Sequence, residues 1–216
     1  MITILIHGSG QKAQSWMKTI SYMKNSDNIL CPELSSLLDG KEVNYENLYS
    51  SFTEYCTKIE GQIHFCGISL GGILALNFAL DFPDKVKTLV LIGTPHKVPK
   101  IMLAVQNTIF KFLPTSFFEN AAFNKKDTFA LGNSMKNIDF TGKLQSIKCP
   151  TMIICGKKDS SNIKSSYYFH ENIINSKLEI LNDTGHVVNE ENPKLLAKIL
   201  DEYYIAHKNN DFNNSI

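Results

Sequence analysis

The sequence predicts an α/β fold in which a doubly wound, mostly parallel sheet of about six strands carries a small helical cap. The first observation is that short apolar, β-rich runs alternate with helical patterns along the 216 residues. The second is a change of sequence pattern between residues 94 and 146, where aromatic and helical segments replace that alternation. We therefore expect a core made of residues 1–93 and 147–216, with residues 94–146 inserted as a cap or lid.

The individual elements follow from periodicity and from start and stop signals. We expect strands at residues 2–6, 28–31, 62–66, 86–92, 149–155 and 178–181, and helices at residues 14–24, 45–59 and 70–80. The helix at 70–80 is almost wholly apolar, so it should be buried. A last helix should begin at Asn192, as N-cap, and Pro193, as the first helical residue.

Charge and cysteine usage exclude several classes of protein. Basic and acidic residues are balanced, 22 against 21, so no overall field attracts nucleic acid or anionic lipid. No run approaches the roughly 20 apolar residues of a membrane span, and the apolar start lacks a basic leader. The five cysteines form no CxxC pair, which indicates buried thiols in a cytoplasmic protein. The oligomeric state stays open.

A serine lies at the predicted junction of a strand and a helix, in the run Gly67-Ile68-Ser69-Leu70-Gly71-Gly72. The bare pattern G-x-S-x-G is common, but here it follows one strand and opens the buried helix. A serine on such a sharp turn is held in a strained backbone conformation with its hydroxyl pointing outward. We therefore predict that Ser69 is a nucleophile.

A serine hydroxyl is a weak nucleophile until a base takes its proton, and His186 is the predicted base. It follows the last strand, and Gly185 lets its loop turn. His96, which comes after the strand ending near Ile92, is the one real rival. The remaining histidines fall within strands or helices, or at a structural position beside a glycine.

Asp159 is the predicted acid that orients this base and stabilises its imidazolium. It follows the strand at 149–155, so its loop should open on the same edge of the sheet. The loop after the preceding strand, residues 93–98, is the other place for an acid and contains no carboxylate. The chain order serine, aspartate, histidine adds support.

An oxyanion hole requires two backbone N–H groups, and losing one donor typically costs about 10²–10³ in rate. The first should come from Leu70, directly after the nucleophile. The second should come from His7-Gly8-Ser9-Gly10, where Ser9 is the first choice and Gly10 the alternative. A phosphate-binding loop is disfavoured because neither the Walker pattern nor G-x-G-x-x-G is present.

Together these features resemble the α/β-hydrolase superfamily, and in particular its small serine esterases and lipase-like hydrolases with a helical cap. The matching pieces run from Ile6–Gly10, with Trp16 downstream, to Gly185-His186 and Asn192-Pro193, which is nearly the whole chain. The resemblance implies an acyl-transfer enzyme acting on a small molecule and does not name the substrate. Serine rather than aspartate at the nucleophile position argues against epoxide hydrolases and haloalkane dehalogenases.

Two departures from the superfamily affect the expected site. Relatives often have a β-hairpin before the first strand, whereas this chain begins on that strand, so we expect a sheet trimmed at one edge. Relatives also often have Asp and Gly-x-Gly after the next strand, where this chain has Cys31-Pro32-Glu33-Leu34-Ser35. The cap contains many large apolar residues between 101 and 131. Most should pack the cap onto the core, and a few should face an apolar pocket.

The leading hypothesis is hydrolysis of a carboxylic ester of a small, apolar substrate through an acyl-enzyme, with no metal or cofactor. Thioesterase, lactonase and C–C bond hydrolase activities use the same residues and remain alternatives. A different class, a non-catalytic small-molecule receptor on this fold, also remains open.

Overall fold

A computed structural model of the protein describes residues 1–98, 118 and 121–208. Within them, six strands form a single sheet in the order β2-β1-β3-β4-β5-β6, and every neighbouring pair is parallel. The predicted α/β class is confirmed. The strands are β1 (Ile2–Ile6), β2 (Ile29–Leu30), β3 (Ile63–Ile68), β4 (Val86–Ile92), β5 (Thr151–Gly156) and β6 (Ser176–Leu181).

Helices cover both faces of this sheet. They are α1 (Met17–Tyr22), α2 (Leu34–Leu37), α3 (Tyr45–Thr57), α4 (Leu70–Asp81), α5 (Lys125–Ser134), α6 (Ile163–Asn172), α7 (Val188–Glu191) and α8 (Pro193–Lys208). Short 3₁₀ turns span Ala13–Trp16, Pro83–Lys85 and Leu144–Ser146. None of the helices in the described part of the chain is long and apolar enough to cross a membrane.

The start of the last helix differs in detail from the prediction. Pro193 is its first residue, and the carbonyl of Asn192 accepts a hydrogen bond from the N–H of Leu196 at 3.0 Å. However, the side chain of Asn192 donates to Thr184 Oγ1 at 3.3 Å. The reason is that the unpredicted helix α7 ends directly before it, so this side chain turns toward the loop after β6.

Alternating side chains of the strands bury two apolar layers. One layer holds Ile4, Phe65 and Leu91 and packs against α3, α4 and α6. The other holds Leu5, Cys66 and Val90 and packs against Trp16, α1 and α8. Strands that are buried on both faces read as continuous apolar runs, which is why they were visible in the sequence.

The chain order of the strands places a crevice at the carboxyl ends of β1 and β3. From β1 the chain moves to β2 on one side and then returns to β3 on the other, and ligands bind at such switch points. The segments after β1, β3, β4, β5 and β6 all leave this edge because the strands are parallel. They contain every residue of the predicted site.

The described residues between 118 and 146 pack against the helices that cover the sheet. Phe123, Leu131 and Phe140 belong to the apolar layer that contains α3 and α4. The N–H of Tyr45 donates to Ser134 Oγ at 2.8 Å, which joins α3 to α5. Most of the large apolar residues of the predicted cap, including residues 101–103, 109, 110, 112 and 113, lie outside the described residues.

Candidate active site

Ser69 lies between β3 and α4 with backbone angles φ 53° and ψ −113°. A non-glycine residue in such a conformation is strained by about 1–3 kcal/mol and persists only where surrounding structure enforces it. Here the N–H of Ser69 donates to the carbonyl of Ile92 at 2.9 Å, and its carbonyl accepts from the N–H of Ile73 at 3.0 Å. The side chain is consequently presented at the carboxyl edge of the sheet.

The glycines around Ser69 are required by close backbone approach. A Cβ atom on Gly71 would overlap the carbonyl oxygen of Ile6, and one on Gly67 would overlap the carbonyl oxygen of Gly71. The helix α4 therefore rests directly on the ends of β1 and β3. This contact fixes the turn that carries the serine.

His186 and Asp159 form a direct pair. Nδ1 of His186 lies 2.6 Å from Oδ2 of Asp159, and the aspartate side chain is 4% exposed against 40% for the histidine. Burial alone would raise the pKa of Asp159, but hydrogen bonds from His186 and Asn162 outweigh it, so that pKa lies below its ordinary value. An ionised Asp159 favours the proton on Nδ1, which leaves Nε2 of His186 free to act as a base.

The end of β4 brings the serine turn next to this pair. Ile92 accepts the hydrogen bond from Ser69, and the following residue, Gly93, has φ +50°. A Cβ atom on Gly93 would lie 3.0 Å from His186 Nδ1 and 3.1 Å from Asp159 Oδ2. Among the described residues, no hydrogen bond joins the Ser69 hydroxyl to the His186 ring. Bonds of this kind often tighten only when substrate is bound.

The loop after β1 passes beside the serine. A Cβ atom on Gly8 would be 3.6 Å from the Cβ of Ser69. The N–H of Gly8 donates to Gln11 Oε1 at 3.2 Å, so the next N–H groups, those of Ser9 and Gly10, remain as candidates for binding an oxyanion. Leu70 is the first residue of α4, and its N–H has no partner within the helix.

The rival histidine, His96, contacts α6, and its hydrogen bond there is not to the acid. His96 Nδ1 is 2.9 Å from Ser165 Oγ, and its ring lies 4.4 Å from that of Tyr168 on α6. His7 is fully buried, and its Nε2 accepts the N–H of Leu34 at 3.1 Å. Of the histidines weighed from the sequence, His186 is the one that the structure pairs with Asp159.

Comparisons with known proteins agree with this geometry. A family model described as alpha/beta hydrolase fold matches residues 57–135. The putative 2-succinyl-6-hydroxy-2,4-cyclohexadiene-1-carboxylate synthase of Bacillus subtilis is 23% identical, over 93% of this chain and 89% of the relative. Mouse monoacylglycerol lipase ABHD6 is 21% identical, over 96% of this chain and 76% of the relative. The structure of a thermophilic esterase from Thermogutta terrifontis has a TM-score of 0.77 at 18% identity, covering 96% of this chain and 90% of the esterase.

These comparisons support the resemblance of the chain to the α/β-hydrolase superfamily, and its parallel sheet flanked by helices matches the α/β-hydrolase fold. The relatives named as a lipase, an esterase and a lactonase support a hydrolase. The small-molecule substrate that the resemblance implied is likewise supported at the level of the superfamily.

Two further residues hold the pair in place and were not predicted. Nδ2 of Asn162 donates to both carboxylate oxygens of Asp159, at 3.0 and 2.9 Å, and its backbone N–H donates to Oδ1 at 3.2 Å. Glu191 accepts the N–H groups of Gly185 and Val187, at 2.6 and 3.1 Å, and so clasps the loop on both sides of His186. The spacing Asp-x-x-Asn, typical of a capping turn, was the available signal for Asn162.

Proposed function

We propose that this α/β hydrolase cleaves a carboxylic ester of a small, apolar substrate through an acyl-enzyme intermediate. The observation that carries the proposal is the strained backbone of Ser69, which holds a hydroxyl at the switch point of the sheet. The paired His186 and Asp159 at the same edge supply the base and its orienting acid.

In this mechanism Oγ of Ser69 attacks the ester carbonyl while Nε2 of His186 takes its proton. The N–H groups of Leu70 and Ser9 bind the oxyanion that forms. When the tetrahedral intermediate collapses, the C–O bond to the alcohol breaks, and His186 gives its proton to the departing oxygen. A water molecule then attacks the acyl-enzyme while His186 takes its proton. When this second intermediate collapses, the bond to Oγ of Ser69 breaks, His186 returns the proton to Oγ, and the acid is released. Asp159 remains ionised and stabilises the imidazolium at each step.

The composition of the chain favours a neutral ester over a multiply charged substrate. The sequence contains no arginine, so all 22 basic residues are lysines. Arginine is the side chain that grips carboxylates with two parallel hydrogen bonds, whereas lysine offers a point charge. A substrate with several carboxylates, such as the name of the Bacillus relative describes for its product, would lack that grip here.

We further propose that residues 94–146 form a cap over the carboxyl edge of the sheet and that residues 1–93 and 147–216 form the core. Support comes from Ala122, whose N–H donates to the carbonyl of Gln11 at 2.9 Å beside the loop after β1. An apolar cap at this edge would exclude water and favour an acyl chain. All five cysteines are free thiols, which supports the expectation of a cytoplasmic protein.

The test is hydrolysis of p-nitrophenyl esters with acyl chains of two to twelve carbons. Wild type should turn over at least one of them with an initial burst, and Ser69→Ala should lose at least about 10³ in kcat. Ser50→Ala, which changes an exposed serine on α3, is the matched control and should keep full activity. A wild type that is inactive on every ester, or a Ser69→Ala variant with full activity, would refute the proposal.

The same residues can act on thioesters, lactones and C–C bonds beside a ketone. These bond types are separated by assaying a thioester and a lactone of the preferred acyl length next to the ester. A kcat/KM at least about tenfold higher for one of these, with Ser69 still required, would reassign the bond and keep the acyl-enzyme.

A further inference from the structure

We infer that Gln11 is a positioning residue that holds the loop after β1 in the conformation needed to bind the oxyanion. This inference rests on the proposed function. Gln11 follows the predicted donors Ser9 and Gly10 directly and is 9% exposed, which is unusual for a glutamine on a loop. Its burial is explained by what both ends of its amide contact.

The carbonyl end of the Gln11 side chain turns back onto its own loop. Oε1 accepts the N–H of Gly8 at 3.2 Å, and the N–H of Gln11 donates to the carbonyl of Gly8 at 3.1 Å. This reciprocal pair closes the loop into a tight turn around Ser9 and Gly10. It also removes the N–H of Gly8 as a competing donor, so the N–H groups available to the oxyanion are those of the next residues.

The amino end of the same amide reaches α7, the short helix that follows the His186 loop. Nε2 donates to Asn189 Oδ1 at 3.0 Å and to Glu190 Oε1 at 2.7 Å. Asn189 is fully buried, and its carbonyl accepts the hydroxyl of Thr19 at 2.9 Å, so it is a fixed anchor. The turn around Ser9 is thereby tied to a rigid part of the protein.

The short helix α7 consequently supports both the loop of the proposed base and the loop of the proposed oxyanion donors. Glu191 of α7 clasps the backbone on either side of His186, while Asn189 and Glu190 hold the oxyanion loop through Gln11. The distance between the base and the oxyanion donors is set through α7. The side chain of Gln11 bonds to both Gly8 and this helix.

The experiment compares kcat, KM and the pH profile of wild type, Gln11→Ala and Gln14→Ala on the preferred p-nitrophenyl ester. Gln11→Ala frees the loop, and a displacement of about 1 Å in such donors costs about 10²-fold in rate, so kcat should fall about 10- to 100-fold. KM should change by less than about threefold, and the pH profile of kcat/KM should keep its midpoint, because His186 still pairs with Asp159. Gln14 is exposed and three residues away, so Gln14→Ala should match wild type.

A rescue distinguishes positioning from a general structural role. In Gln11→Glu the carboxylate still accepts the N–H of Gly8 but faces the Glu190 carboxylate without a donor, so kcat should fall as in Gln11→Ala. Adding Glu190→Gln supplies an amide that donates to the new carboxylate, and most of the lost kcat should return. Wild-type kcat in folded Gln11→Ala, or a double variant no better than Gln11→Glu, overturns the inference.

Failure of the proposed function gives a different result. If neither wild type nor Ser69→Ala hydrolyses any ester, the proposed ester hydrolysis is wrong. The order of the loop after β1 is then measured directly by amide hydrogen exchange. Exchange at Gly8 should accelerate at least about tenfold in Gln11→Ala and stay unchanged in Gln14→Ala. Unchanged exchange at Gly8 in Gln11→Ala would overturn the positioning role itself.

Discussion

Gly93→Ala tests whether the end of β4 sets the geometry of the His186–Asp159 pair. The new methyl group would lie 3.0 Å from His186 Nδ1 and 3.1 Å from Asp159 Oδ2, closer than van der Waals contact allows. The pair must therefore move by several tenths of an ångström. In addition, φ at Gly93 is +50°, and a side chain in that conformation costs about 1–2 kcal/mol.

The two effects have separate readouts. Backbone strain of about 1–2 kcal/mol should lower Tm by about 2–8 °C in a domain of this size. Displacement of the pair should reduce kcat/KM by about 10- to 100-fold on the preferred ester, less than the roughly 10⁴ expected when the acid is lost altogether.

Gly61→Ala is the control for strain alone. Gly61 has φ +75°, and no atom lies within 4 Å of a Cβ built there. This variant should lose a similar amount of stability and keep wild-type kcat/KM. If Gly93→Ala also keeps wild-type kcat/KM while its Tm falls, the contact with the pair has no catalytic consequence and the reasoning is refuted.

Two further predictions concern buried polar groups. Asn162→Ala removes two donors from Asp159 and should destabilise the protein by about 1–3 kcal/mol near neutral pH in urea melts. Because the pKa of Asp159 lies below its ordinary value, the difference should persist above about pH 4 and shrink as the pH falls through the folded pKa. Burial lowers the pKa of His7 despite the nearby Glu33, so the unfolded chain binds a proton that the folded one does not. The free energy of unfolding should therefore decrease as pH falls below about 6.5, and His7→Gln should flatten that slope; an unchanged slope would contradict the assignment.

Much of the fold was predictable because its sheet is buried on both faces. Each parallel strand reads as an apolar run, and α4 is apolar all round, so periodicity located them to within a few residues. The short helices α2 and α7 were missed because four residues carry no periodicity. Their conformation depends on what they pack against, as the contact of Leu34 with His7 shows.

The candidate site also contains some residues that the sequence predicts and others that depend on tertiary contacts. The sequence predicts Ser69, Asp159 and His186 because each follows a strand, and parallel strands end at one edge of the sheet. The sequence analysis did not identify Asn162, Glu191 and Gln11. The role of each depends on the carboxylate or N–H group to which its side chain hydrogen-bonds in the folded protein. These hydrogen bonds join positions up to 179 residues apart, as for Gln11 and Glu190, so the local sequence contains no signal for them.

The glycines around Ser69 are required by close backbone packing and not by the reaction. Gly67 and Gly71 are fixed by contact of α4 with the ends of β1 and β3, whichever side chain stands between them. Exchanging the side chain at position 69 should thus leave the turn intact. Evolution or protein engineering can therefore place a thiol or a carboxylate at position 69 and change the chemistry while the backbone of the turn stays the same.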